Sequence, residues 1–394
     1  MFPKTFTALL MLGSMATAAP SAMLPRQATT RKLLVGGPSQ IMTADFDGAA
    51  FTVTSNHVTA GTVPSWMRYN PKKNALYAVD ENSDKLYQLT LDSNTKKDPT
   101  LVGTATGSAG VVFLEFNKDQ TRMVGAGYGS EEIDIWDVTD SSVVPKLLKS
   151  VKVEGSLGPG QKAHHPHQAL LDPTGDFMVI PDLGGDQILV LDTRNDKYEI
   201  SNAVTLPSGT GPRHGGYIKA NNKTFYALAT ELSNKVILFE LDYSNQAKLE
   251  FIQISSQSTY SANFPPANSS TAAAGTVAVA SNNRDVYITN RLSGNETDSI
   301  AHFVFSADAN PPSLVFADTV SVFGIQPRDM RLSTDESLVF VANQGGANGL
   351  VALQRCSVSG RLAAEPVALH PIGDLVPADH KGETTAGPQF VQEI

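Results

Sequence analysis

The sequence predicts an all-β fold, a seven-bladed β-propeller, on three observations. A unit of roughly 50 residues repeats six times, each repeat is built of short strand-like runs, and the two chain ends carry strands that complete one more blade. The repeats open at Pro64, Gly110, His165, Gly211, Gly275 and Gln326, spaced 46 to 64 residues apart. In each, a first strand leads through a D-P-x-G-like turn to an apolar strand, then a polar turn and a third strand, with a looser fourth behind it.

Copy one reads PSWMRYNPKKNALYAVDENSDKLYQLTL, and its run Leu76-Tyr77-Ala78-Val79 is short, apolar and bounded by Asn and Asp, as a strand requires. Copy two, GVVFLEFNKDQTRMVGAGYGSEEIDIWDV, contains Gly125-Ala126-Gly127-Tyr128-Gly129. That stretch lies between strands and opens no helix, so it reads as a turn and not as a phosphate loop. Copy three, HPHQALLDPTGDFMVIPDLGGDQILVLDT, holds the clearest turn, Asp172-Pro173-Thr174-Gly175. Copies four to six are GPRHGGYIKANNKTFYALATELSNKVILFEL, GTVAVASNNRDVYITNRLSGNETDSIAHFVF and QPRDMRLSTDESLVFVANQGGANGLVALQ. The seventh blade is expected from residues 32–36 and 41–46 together with residues 361–372 and 389–391. Such closure gives each edge strand a partner. No segment keeps a long 3.6-residue period, which argues against a helix bundle or a doubly wound α/β sheet. A single propeller domain over residues 31–394 is the expectation.

Ahead of it, Lys4, an apolar run and Ala16-Thr17-Ala18 have the form of a secretory signal over residues 1–18, followed by a flexible leader over 19–30. Later apolar runs fall short of the roughly 20 residues a membrane helix needs, so no membrane span is expected. Three N-glycosylation acceptors, Asn222, Asn268 and Asn295, fit a secreted or cell-wall protein. Cys356 is the only cysteine in 394 residues, which excludes an intrachain disulfide and cysteine-ligated metal centres. Thirty basic against 39 acidic residues leave a net charge of −9, which disfavours nucleic acid as a partner.

In a propeller, the start of each inner strand and the adjoining loops face the central channel, so polar residues there converge. Copy three opens His164-His165-Pro166-His167. Alternation turns His167 toward the channel as a proton acceptor or donor, while His164 reads as a surface or turn residue. The three histidines lie too close along an extended chain to share one tetrahedral metal, and no metal or organic cofactor is expected. Copies four and six open with Pro212-Arg213 and Pro327-Arg328, two guanidinium forks suited to carboxylate or phosphate. For Arg328 an ion pair between blades is an equal alternative. The ends of the second strands add Glu81, Glu231, Arg291 and Gln344. No G-x-S-x-G elbow or Walker loop is present.

The motifs HPHQ-LLDPTGDFMVIPDLGGDQILVLD, GPRH-YALATELSNKVILFEL, VYITNR and QPRD-FVANQ, in that order, resemble those of the seven-bladed lactonase propellers. That family includes bacterial-type 6-phosphogluconolactonase and the eukaryotic 3-carboxy-cis,cis-muconate cyclase. The resemblance spans roughly residues 30–392. It implies that His167 or Glu231 moves the proton and that Arg213 and Arg291 hold substrate carboxylates; from their blade positions Arg328 and Gln344 are expected to join the substrate-binding set. The chain departs from the pattern at Arg328-Asp329 and in Gly110-Val111-Val112-Phe113, which carries no polar signature. The expected activity is closure or opening of a lactone on a small anionic lactone or dicarboxylate, cyclase-like first and 6-phosphogluconolactonase-like second. A catalytically silent adhesin or antigen is the alternative of another class. The sequence leaves oligomeric state open.

Overall fold

A computed structural model describes residues 30–95 and 97–394, so the expected signal segment and all but the last residue of the leader lie outside the described residues. Among the described residues the strands form seven four-stranded antiparallel sheets. Blades one to six each run in chain order from the innermost strand outward, starting at Met67–Asn70, Val111–Phe116, Leu170–Leu171, Pro212–Ala220, Ala273–Val279 and Ile325–Leu332. Blade seven takes its innermost strand, Phe390–Glu393, from the C-terminal end of the chain and the other three, Arg31–Gly37, Gln40–Phe46 and Phe51–Val58, from the N-terminal part. Register pairs Val35 with Val391 and Leu34 with Gln392. No helix among the described residues is long and apolar enough to cross a membrane.

One expected strand sits elsewhere. Residues 361–372, assigned above to the closing blade, form Leu362–Pro371, the outermost strand of blade six, paired with Asn348–Arg355. The outermost strand of blade seven is Phe51–Val58. Outer strands are poor markers because one face and one edge meet solvent: Glu250–Ser258, for example, has no fully buried residue. The middle strands are continuous apolar runs, since both faces press against neighbouring blades; Phe177–Asp182 and Gln187–Asp192 are buried at every position.

Turn chemistry holds the blades in register. Asp172 accepts hydrogen bonds from the N–H groups of Thr174, Gly175, Asp176 and Phe177, closing the D-P-T-G turn around Gly175 at φ +83°. Asn70 and Asn117 do the same for the corresponding hairpins of blades one and two. These turns lie at the end of the inner strands away from the charged residues. The opposite ends define the candidate site.

Candidate active site

Residues enter the channel at two repeated positions. The first is the residue after a proline at the start of the inner strand: Pro166-His167, Pro212-Arg213, Pro327-Arg328. Pro212 and Pro327 stand opposite Thr230 and Asn343 on the second strand, and the register slips at the next residue, so Arg213 and Arg328 are each the extra residue of a β-bulge. Val112 occupies the same bulge in blade two. A bulge re-aims one side chain and breaks the alternation locally, which turns these side chains to the axis. In blade three the ladder narrows to a single bridge, Pro166 to Asp182, and His167 follows it with its N–H on Pro181 O at 2.9 Å.

The second position lies within two residues of the end of the second strand. There Asp80, Asp182, Thr230, Asn290 and Asn343 bind neighbouring loops through their side chains, and Glu81, Glu231 and Arg291 are thrown inward beside them. Two buried carboxylates lock the connecting loops. Asp186 accepts 2.7 Å hydrogen bonds from the N–H groups of Gly209 and Gly211, just before Arg213. Asp298 accepts from Leu292, Ser293 and Gln326, holding the chain after Arg291 and before Arg328 at once.

The result is one cavity of about 180 Å³ lined by Glu81, Val112, Tyr128, His167, Arg213, Glu231, Arg291 and Arg328. Its size suits a small metabolite rather than a drug-sized ligand, for which pockets run from about 300 Å³ upward. The floor is aromatic. His214 meets Trp66, Phe113 and His167 edge to face at 5.6, 5.5 and 5.0 Å, and a separate chamber of about 470 Å³ opens below Trp66, Phe113 and His214 toward the other end of the inner strands.

Three guanidiniums face two carboxylates. Arg328 is paired with Glu81, joining blades six and one. Arg213 Nε is ion-paired to Glu231 Oε2 at 2.7 Å, while Arg213 Nη1 is buried without a hydrogen-bond partner. Arg291 has no ion-pair partner among the described residues, and its Nε is likewise unpaired. A buried N–H without an acceptor costs about 1–3 kcal/mol. Burial, with Arg291 and Arg328 adding and Glu231 opposing, pulls the Arg213 pKa down to about 9, so the group is still charged at neutral pH. Burial pushes Glu81 up, but the Arg328 charge and hydrogen bond more than reverse this and hold it below its usual value. His167 is buried and its pKa is lowered well below the ordinary value, first by burial and then by Arg213, His214 and Arg328. The imidazole is therefore neutral. Its Nδ1 is buried without a partner, leaving Nε2 to meet a bound molecule.

The structure thus brings His167, Glu231, Arg213, Arg291 and Arg328 around one cavity, and Glu81 with them. Gln344 is not among the lining residues. Its strand continues in register to Gly345, and the closing segment crosses it there, with Gly387 N on Gln344 O at 2.9 Å. His164, expected at the surface or in a turn, is instead buried, its Nδ1 2.7 Å from Asp182 Oδ2. The sequence reading missed Tyr128, which lines the cavity from inside a run taken only as a turn. The comparable placement of Glu81, Tyr128, Glu231 and Arg291, each at the last residue of the second strand or one or two residues beyond it, is the signal that points to it. Of the glycosylation acceptors, Asn222 is exposed in a tight hairpin and Asn268 is exposed, whereas Asn295 is half-buried with its amide bonded to Pro265 O and Ala267 N.

The fold is thus a seven-bladed ring with basic and acidic side chains gathered at one channel mouth. The family model described as "Lactonase, 7-bladed beta-propeller" matches residues 28–368, and the chain belongs to that family. It is 32% identical over 263 residues to "Probable 6-phosphogluconolactonase" of Arthroderma benhamiae; the match covers 64% of each chain, just under two thirds of that relative's own length. It is 28% identical to "6-phosphogluconolactonase" of Bacillus subtilis over 74% of this chain and 76% of that one. In fold it is similar to a periplasmic gluconolactonase of Pseudomonas aeruginosa, with TM-score 0.76 at 20% identity over 93% of this chain and 99% of that one.

Proposed function

We propose that this protein hydrolyses an anionic sugar lactone of the 6-phosphogluconolactone class to its open-chain acid. The observation that carries the reading is the cavity itself: a buried neutral imidazole among three guanidiniums, of which Arg291 has no ion-pair partner among the described residues. Names of the relatives favour hydrolysis of a sugar lactone over ring closure of a carboxymuconate, the reading placed first from sequence.

The chemistry follows from the charges. Arg291 holds the substrate's anionic group, and Arg213 donates to the lactone from below. His167 Nε2 takes a proton from water as that water attacks the carbonyl carbon, and returns it to the ring oxygen when the ring C–O bond breaks. The proton affinity of His167, depressed by burial first and then by neighbouring cations, rises as negative charge arrives between it and Arg213 and Arg328. Glu231 keeps Arg213 in place and balances its charge. The neutral base form is thus present before substrate and strengthened by it.

Export is part of the proposal, supported by the signal-like N-terminal segment and the exposed acceptor Asn222. The test is turnover of 6-phosphogluconolactone, glucono-δ-lactone and muconolactone by protein recovered from culture medium. Wild type is expected to open the sugar lactones, and His167→Ala to lose about 10²–10⁴-fold in kcat/KM with unchanged unfolding temperature. Equal rates in both would remove His167 from the reaction. A wild type inert toward every lactone would pass the protein to the adhesin or antigen reading.

A further inference from the structure

Blade two gives the cavity no charged group; its bulge presents Val112. What it supplies instead is Tyr128, and the surrounding structure fixes that residue more tightly than a loop tyrosine needs. Its ring stacks on His165 with centroids 4.1 Å apart and planes 17° from parallel. Its own carbonyl oxygen accepts a hydrogen bond from His165 Nδ1 at 2.8 Å, so one histidine clamps both ring and main chain. The next residue, Gly129, donates its N–H to Gly110 O, and a methyl group on Gly110, at φ +70°, would stand 2.8 Å from the Gly129 Cα. Only two glycines let these strands approach so closely, which explains the glycine-rich run that holds Tyr128.

The fixed ring points its chemistry at the acid–base group. Tyr128 meets His167 edge to face at 5.5 Å and lines the cavity with Glu231, Arg213, Glu81 and Arg291. No hydrogen bond among the described residues takes up its hydroxyl, although the rest of the side chain is held on two sides. Burial first, and then the Glu231 carboxylate, raise the phenol's pKa, so the hydroxyl keeps its proton and can act as a donor.

We propose that Tyr128 is a catalytic residue whose hydroxyl donates a hydrogen bond to the lactone carbonyl oxygen and holds it as it becomes an oxyanion, with His165 as its positioning residue. This rests on the hydrolytic reading above. Water's oxygen bonds to the carbonyl carbon and the carbonyl electron pair moves onto oxygen, where Tyr128 holds it without giving up its proton. Collapse reforms the carbonyl, breaks the ring C–O bond and delivers the water-derived proton from His167 to the ring oxygen. The second hydrogen of the attacking water is released as the product acid ionises. A donor that strengthens only as charge develops affects kcat rather than KM.

Tyr128→Phe removes the hydroxyl and leaves the stack. It is expected to lower kcat on the sugar lactones by about 10²-fold with KM changed less than about threefold, the size seen for loss of one such donor. His165→Ala frees the ring and is expected to lower kcat by a similar or smaller factor. His165→Phe restores the stack and recovers part of that loss, which a purely structural effect on stability would not produce. An active wild type whose Tyr128→Phe variant keeps full kcat, or raises KM alone, overturns this inference and leaves the lactonase reading standing. A wild type that opens no lactone overturns both.

Discussion

Two of the buried charge clusters in this propeller are built on opposite plans. Between blades five and six, Asp285 receives Arg355 Nη2 at 2.6 Å, Asn282 Nδ2 at 2.7 Å and His302 Nε2 at 3.1 Å. His302 gives its other nitrogen to Asp318, and Tyr287 accepts Arg355 Nε while donating to Gly360 O. Every polar atom named has a partner. At the channel mouth, by contrast, Arg213 Nη1, Arg291 Nε and His167 Nδ1 are buried without one. A saturated network fastens two blades; at the channel mouth the carboxylates pair with Arg213 and Arg328 and leave Arg291 beside the cavity without an ion-pair partner among the described residues. The difference in satisfaction, rather than in charge, separates the structural cluster from the functional one.

The largest expected effect tests that separation directly. Asp285→Ala leaves Arg355 and His302 buried without their shared carboxylate and is expected to cost about 3–5 kcal/mol of stability. Thermal unfolding should show a midpoint several degrees lower, while lactone turnover by the folded protein at room temperature stays at the wild-type rate. Arg213→Met should do the reverse. It removes a cation that already lies near Arg291 and Arg328, so the unfolding midpoint stays close to wild type while kcat/KM falls by about 10²-fold. A large loss of stability in Arg213→Met would place the channel cluster in the same class as the interblade one and end the comparison.

A smaller effect sharpens it within the cavity. Arg213 and Arg328 each face a carboxylate, and Arg291 does not, so Arg291 carries the positive charge left over for an anionic substrate. Arg291→Met is expected to raise KM for a phosphorylated sugar lactone by about tenfold, in line with the energy of one charge-assisted contact. KM for neutral glucono-δ-lactone should change little. Equal effects on both substrates would assign Arg291 to the shape of the cavity rather than to recognition of charge.

Much of this arrangement was readable in the sequence because it repeats. The proline steps before His167, Arg213 and Arg328 recur at the same blade position, and the bulge that aims Arg213 and Arg328 is a consequence of that position. The blades themselves were marked by their turns and doubly buried middle strands. The strand Leu362–Pro371 was given to the wrong blade because an outer strand has half its surface in water and so carries little pattern. Tyr128 escaped because its role depends on Gly110 and His165, from the start of its own blade and from the next one. Local reading sees only a turn. His164 was misread for a related reason: its partner Asp182 is distant in sequence and adjacent only once blade three has folded. Gln344 shares a sequence position with Glu231, but the returning C-terminal segment covers its strand, an effect of ring closure that no single repeat contains.

The smallest expected effect contrasts two histidines under the same titration. His302 is lowered by burial but raised more by its hydrogen bonds to Asp285 and Asp318, so its folded pKa stands above the usual value. Its contribution to stability is therefore complete below about pH 6.5, the unfolded value, and is lost as pH rises through the folded value. His167 is shifted the other way, by burial first and then by Arg213, so it remains neutral below pH 6.5 in the folded protein. Its protonation on unfolding makes acid destabilising, and the acid limb of kcat/KM should fall below pH 6.5 rather than at it. Unfolding midpoints of wild type and His302→Gln, measured from pH 6 to 9, should converge as pH rises, while wild-type kcat/KM stays flat from pH 6.5 to neutrality. A constant gap between the two midpoints would mean that His302 is neutral in the folded protein, so that the two histidines would no longer differ in charge state.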